Sequence, residues 1–370
     1  MKKLLLGTTG LVAATLVASA ASAQTPKVTI GGFADFQAGY ISDDLDGNQR
    51  SHSFRNDTEV SIRVDGKSEA GLGYGAVIDL EADVSADVNG EGLNAARTYV
   101  YLDGNWGRFE LGSNEGPAET MRVDASSLAA ATGGIDGDWV FFANNAVGGF
   151  ITTPSLPLAH GSVNILNDES VDNANKITYY SPRYYGFQLG AAYQPDSGDR
   201  GQITQSFDNA IGQFGETVDL GLNYEGTYRT ASFAAAATAQ FGDAEANQED
   251  LTAYNVGALV GYKGFHIAGS YGDWEGSVDT INLANNAEGD YYTAGIGYDF
   301  GPFGASVTYL DSSYEVGGTE NDFENIVAGV DYKLAPGLTP YAEVSVYEFD
   351  PQVGADNDGT VVIVGTQVAF

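Results

Sequence analysis

The chain has 370 residues, with 50 acidic side chains against 16 basic ones and a formal charge of −34. So large a negative excess repels phosphate backbones and excludes nucleic acid as a partner. The lack of cysteine excludes disulfides and thiol chemistry.

The first residues read as an address. Lys2 and Lys3 precede an uncharged, mainly apolar run from Leu4 to Val17, and Ala21-Ser22-Ala23 follows as a small-residue cleavage site. This is the order of a secretory signal peptide over 1–23, with the mature chain starting at Gln24. The run is shorter than the ~20 residues a spanning helix needs. No apolar run of 18 or more follows Gln24, so any membrane crossing has to be made by strands.

From Val28 onward the pattern has period two. Val28, Ile30, Ala34, Phe36, Ala38 and Tyr40 share one face, against Thr29, Gly31, Asp35, Gln37 and Gly39. The same alternation recurs around Ile78, Leu220, Val256 and Ile326, and the chain ends with Val362, Val364, Thr366, Val368 and Phe370 on one face. Strand-like runs begin near Val28, Thr58, Leu72, Asn94, Arg108, Lys176, Phe187, Thr217, Ala231, Thr252, Phe265, Tyr291, Phe303, Phe323, Leu338 and Thr360. That makes about sixteen, an even number as in single-chain membrane barrels. The second face is described by Gly, Asn, Ser and Asp, which suits a lumen kept open for water.

Between these runs, short and long connections alternate. The short ones carry aromatic-Gly-aromatic turns: Trp106-Gly107-Arg108-Phe109, Tyr184-Tyr185-Gly186-Phe187, Tyr262-Lys263-Gly264-Phe265 and Tyr298-Asp299-Phe300-Gly301-Pro302-Phe303. Rings at the ends of alternating strands belong where hydrocarbon meets water. The long connections are acidic, for example Ser42–Asp57 and Pro195–Glu216. One connection, 113–174, is out of scale. An unstructured loop of that length in a compact domain needs a function, and folding into the lumen to narrow the pore would supply one. Pro117–Asp124 is expected to form a short helix, and Gly133-Gly134 to permit a sharp bend.

Taken together, the leader, the first strand Val28–Tyr40, the stretch Asn175–Pro182 leading to the Tyr185-Gly186-Phe187 turn and the terminal strand ending in Phe370 resemble the general diffusion porins of Gram-negative outer membranes. The resemblance implies an all-β fold: a transmembrane antiparallel β-barrel of about sixteen strands over 24–370, with 113–174 as the pore-constricting third loop. It implies a homotrimer of water-filled channels in the cell outer membrane, in contact with the lipid bilayer and lipopolysaccharide, passing small polar solutes and ions. Two positions depart from the family pattern. Ser61 and Ser113 stand where general porins often carry wall arginines, which thins the basic cluster.

Rings of Asp or Glu in a narrow aperture favour cations. The expected constriction sets the loop acids Glu115, Glu119, Asp124, Asp136 and Asp138 against the wall bases Arg63, Arg97 and Lys176, making a transverse field and a cation-selective channel. Trp139-Val140-Phe141-Phe142 is expected chiefly to pack the loop onto the wall, with a greasy patch beside the pore as the sharper alternative. No cofactor is expected, and no metal site. Calcium at the acidic loops Asp43–Asn48 and Asp356–Gly359 is a lesser expectation, since neither has the downstream Glu of an EF-hand. Nothing points to catalysis: His52, His160 and His266 are far apart, and no nucleophile motif is present. Two rivals remain on sequence alone, a plugged barrel serving adhesion and a secreted soluble β-protein.

Overall fold

The computed structural model describes residues 24–45, 50–82, 94–143, 155–159, 173–201, 214–244, 249–278, 286–316 and 318–370. The leader expected over 1–23, and a brief pairing expected at Ser162–Ile165, lie outside these residues.

Sixteen strands are present. They are β1 (Gln24–Asp43), β2 (His52–Lys67), β3 (Gly73–Glu81), β4 (Asn94–Gly104), β5 (Gly107–Ser113) and β6 (Asn175–Tyr180). Next come β7 (Phe187–Asp196), β8 (Phe214–Tyr228), β9 (Ala231–Ala244), β10 (Leu251–Tyr262) and β11 (Phe265–Val278). The last are β12 (Asn286–Phe300), β13 (Phe303–Val316), β14 (Thr319–Tyr332), β15 (Leu338–Pro351) and β16 (Asn357–Ala369). Each strand pairs antiparallel with its sequence neighbours. β1 also pairs with β16, Ala34 opposite Val368, and the sheet closes. Closure leaves no unpaired edge, a condition for any sheet standing in hydrocarbon.

The period-2 pattern has the sense of a membrane barrel. On β1, Val28, Ile30, Phe36 and Tyr40 are exposed, whereas the intervening Asp35 and Gln37 are buried. The exposed face is therefore the apolar one, all around the sheet, and it suits lipid.

The aromatic turns work as anticipated. In the β10–β11 hairpin Tyr262 pairs directly with Phe265, and Lys263 and Gly264 carry φ of 50° and 85°. Two consecutive positive φ values make the tight primed turn whose twist matches its strands. Tyr185 and Gly186 repeat it, with φ of 50° and 91°. Neighbouring rings then meet across strands: Phe109 with Tyr179 at 4.9 Å between centroids, Phe187 with Tyr224 at 4.8 Å, Phe265 with Tyr298 at 4.3 Å and Phe303 with Tyr332 at 4.5 Å. The result is an aromatic belt at the short-turn end.

Strand starts at short turns match the sequence expectation to within one residue, as for β3, β5, β7, β9, β11, β13 and β15. Starts at the long-loop end come earlier than expected: His52 rather than Thr58, Asn286 rather than Tyr291, Thr319 rather than Phe323. Beyond the lipid both faces meet water, so backbone pairing continues where the apolar alternation has stopped.

Candidate pore constriction

The segment joining β5 to β6 lies inside the barrel over its described length. Its first turn, Pro117–Thr120, sits on β7 and β8, where Ala118 N–H donates to Asp219 Oδ1 at 2.7 Å. A Cβ at Gly190 would lie 2.5 Å from Met121 Sδ, and one at Gly221 2.7 Å. At Gly257 of β10 an added Cβ would come 1.7 Å from the Val123 carbonyl oxygen. These inward glycines seat the loop. The sequence argument assigned them to open water, and that assignment is corrected here.

Beyond Asp124 the segment follows the wall strand by strand. Its backbone N–H groups find acceptors on inward side chains: Ala125 on Thr293 (3.2 Å), Ala130 on Ser306 (2.7 Å), Ala131 on Asp331 (3.2 Å) and Ile135 on Thr308 (3.0 Å). Thr132 Oγ1 donates to Glu343 at 2.7 Å. A segment whose own secondary structure amounts to single short turns thus has buried backbone donors satisfied by the wall. Gly133 and Gly134, with φ of 135° and 70°, make the bend expected of them.

Beneath the loop the inner wall carries, among the polar side chains that bond the loop, an apolar cluster that the sequence reading did not expect. Trp274, Tyr291, Leu310, Phe323, Tyr347, Phe349, Val361 and Ile363 all point inward from β11–β16 and are buried. Trp139 is stacked on Phe323 at 6.0 Å and meets Tyr347 at 5.8 Å. Trp139 and Phe142 therefore pack the loop down, as expected of them, while Phe141 is 52% exposed beneath the Arg55 guanidinium at 3.9 Å.

The expected acids divide into two groups. Glu119, Asp124 and Asp136 converge on Arg122, at 3.5, 3.0 and 3.3 Å. The Arg122 side chain is only 2% exposed and also donates to Ser155. These three carboxylates hold the loop to itself, and Asp124 in addition caps the 3-10 turn Ala125–Leu128. The other two border the uncovered wall. Glu115 pairs with Arg97 at 2.9 Å, and Arg97 pairs equally with Asp79 on β3. Asp138 accepts from Gln37 of β1 and lies 3.6 Å from Arg55 of β2.

The expected bases lie on the inner wall and are engaged there. Arg63 pairs with Asp65 at 3.0 Å, and Lys176 is buried facing Asp219. The picture of free acids on the loop facing free bases on the wall gives way to closed ion pairs. On β1–β5 the inward carboxylates of Asp35, Asp57, Glu59, Asp65, Asp79 and Glu110 outnumber the guanidiniums of Arg55, Arg63, Arg97 and Arg108.

Sequence reasoning missed Arg55, Arg108 and Arg122. Arg55 precedes the expected start of its strand at Thr58, so it was never placed on a face. Arg122 was passed over because only acids were sought in the loop. Its position between Glu119 and Asp124 was the available signal.

Of the two acidic stretches considered for calcium, 46–48 lie outside the described residues; Asp44 N–H donates to the Asp358 carbonyl at 3.1 Å. Among the described residues no three acidic or histidine side chains cluster as a metal site would require. His266 pairs with Asp299 at 3.2 Å on the inner face.

Comparison with known proteins follows the same line. A family model described as Gram-negative porin matches residues 8–352. Outer membrane porin protein 32 of Delftia acidovorans is 29% identical over 188 residues, which is 50% of this chain and 48% of that protein. A solved anion-selective porin from Comamonas acidovorans superposes with a TM-score of 0.63 at 18% identity, covering 94% of this chain and all of that one. OmpT of Vibrio cholerae, an outer membrane protein solved in a trimer form, gives a TM-score of 0.62 at 12% identity, again covering 94% and 100%.

Proposed function

The chain belongs to the Gram-negative porin family, and from that premise we propose a cation-preferring diffusion channel for small hydrophilic solutes, working as a homotrimer. Its place in the outer membrane and its character as a channel come with the family. The ion preference rests on one observation. Where the loop leaves the wall uncovered, every inward arginine of β2–β5 is matched by at least one carboxylate, and further carboxylates remain beyond those pairs. An aperture of that sign admits cations more readily than anions. The Comamonas porin is anion-selective, but at 18% identity the likeness to it extends to the fold alone.

Sieving needs no cofactor, because width and fixed charge do the work. The described residues of the loop line the wall, which favours a channel over a plug. The trimer is supported by the Vibrio OmpT trimer form and by an asymmetry of the outer surface. Outward tyrosines Tyr254, Tyr271, Tyr292 and Tyr309 stand near the long-loop end of β10–β13. On β3–β6 the outward aromatics Tyr74, Phe109 and Tyr179 sit only at the short-turn end, as befits a side facing protein and not lipid. In the outer leaflet, lipopolysaccharide would be the lipid in contact with the rest.

Planar-bilayer recording under a salt gradient tests the reading. Steps grouped in threes and a reversal potential of cationic sign are expected. A chloride preference would remove the ion assignment, and a silent bilayer at high protein input would remove the channel.

A further inference from the structure

Three cations at the short-turn rim stand apart from every carboxylate. Arg229 lies between β8 and β9, Lys263 between β10 and β11, and Lys333 directly after β14. All three are exposed, and among the described residues none has an ion-pair partner within 4.0 Å. Acids are near enough in sequence, but each is engaged on the inner side. Glu225 pairs with Arg183 at 3.1 Å, Asp299 with His266 at 3.2 Å, and Asp331 accepts from Ala131 N–H at 3.2 Å.

In a chain with so large an acidic excess, exposed cations at one end with no ion-pair partner are free to meet an anion from outside. Their surroundings say which kind. Arg229 lies over the Tyr228 ring at 5.3 Å and Lys263 over the Tyr262 ring at 5.2 Å, so each cation is carried on a member of the aromatic belt. Lys333 is tied to the next hairpin by its N–H bond to the Pro302 carbonyl at 2.9 Å, beside the exposed Phe300 and Phe303. The belt marks the headgroup level. The three cations sit on separate turns, so they do not converge on one small ion, and each is placed to meet its own lipid.

We propose that Arg229, Lys263 and Lys333 form a docking rim for the phosphate groups of anionic phospholipids in the periplasmic leaflet. The apolar strands hold the acyl chains, and the rim cations select the headgroup. This surface is separate from the ion pairs that tie the loop to the wall, because all three residues lie at the short-turn end and take part in none of those pairs.

Native mass spectrometry of the purified full-length protein in detergent tests it, with phosphatidylglycerol or phosphatidylcholine added at matched concentration. Wild type should retain phosphatidylglycerol preferentially. Each cation removed should weaken that preference roughly fivefold. The variant carrying Arg229→Gln, Lys263→Gln and Lys333→Gln should hold the two lipids equally, with single-channel conductance unchanged. Should the triple variant fail to assemble, Lys263→Gln alone must show a partial loss that Lys263→Arg restores. Equal retention of both lipids by wild type overturns the proposal, as does an undiminished preference in either variant. Inorganic phosphate that displaces the lipid at equal concentration overturns it too, because the site would then be one for a free anion. Conductance reports on the channel alone, so a silent but lipid-selective protein would count against the channel reading and leave the rim standing.

Discussion

Strands β2–β6 and strands β10–β16 belong to one closed sheet, yet their inner faces have little in common. The first group meets the lumen with Arg55, Arg63, Arg97, Arg108 and their carboxylate partners, and among the described residues the loop reaches it through Glu115 at its root and Asp138 farther along. The second presents buried rings and branched side chains, with the loop fastened over them. Strand length follows the division except at β2, which has 16 residues: β3–β6 run 6 to 11 residues and β10–β16 run 12 to 15. One wall is therefore the bed of the loop and the other is the free side of the pore. A barrel interior need not be uniformly polar. Where chain is packed against chain it gathers an apolar cluster, with polar side chains there given over to the loop backbone.

The sharpest way to break this contrast is to empty the bed. Trp139→Ala should cost about 3–5 kcal/mol of loop packing, since the indole stacks between Phe323 and Tyr347. The barrel should still form, with larger and noisier conductance steps in bilayer recording. Steps of wild-type size and steadiness would show that the loop is held by its polar contacts alone.

Next in size is the outer face. Ala258→Arg on β10, midway between the outward Tyr254 and Tyr262, points to lipid and should cost about 2–4 kcal/mol near the midplane, read as loss of the heat-resistant folded band on gels. An arginine at Asn255, on the inner face of the same strand, is no safe control. Asn255 is fully buried and its amide donates to Tyr291 Oη at 2.8 Å. The proper control is Ser61→Arg, on the free wall opposite Asp79, where assembly should be unchanged.

A finer test sharpens the free wall itself. Arg97→Gln should raise the cation-to-anion permeability ratio and Glu115→Gln should lower it, both read from reversal potentials. If the pair mattered only as a clasp for the loop, the two variants would shift selectivity in the same direction. The smallest expected effect is that of Ser61→Arg on permeability, a modest decrease in cation preference with a stability change within about 0.5 kcal/mol.

The sequence made the strands legible because lipid imposes a simple rule. Val28, Ile30, Phe36 and Tyr40 had to face one way and Asp35 and Gln37 the other, and a reader needs only parity to see it. The rule lapses above the membrane, and there Arg55 was lost with the start of β2. It also gives no account of what inward residues touch. Gly190, Gly221 and Gly257 read as open space, yet they are seats for Met121 and Val123. Phe323 stands at the start of an expected strand, but nothing local could say that Trp139 would cover it.

Local chemistry along the chain was thus enough to determine a closed antiparallel barrel, its aromatic belt and the existence of an internal loop, because alternation and turn type are set by residues next to one another. Which loop acids border the pore was decided only by the tertiary structure. Glu119, Asp124 and Asp136 fold around Arg122, while Glu115 and Asp138 reach arginines on strands distant in sequence. A charge shows its sign in the sequence, but its partner is chosen by the path of the chain through space.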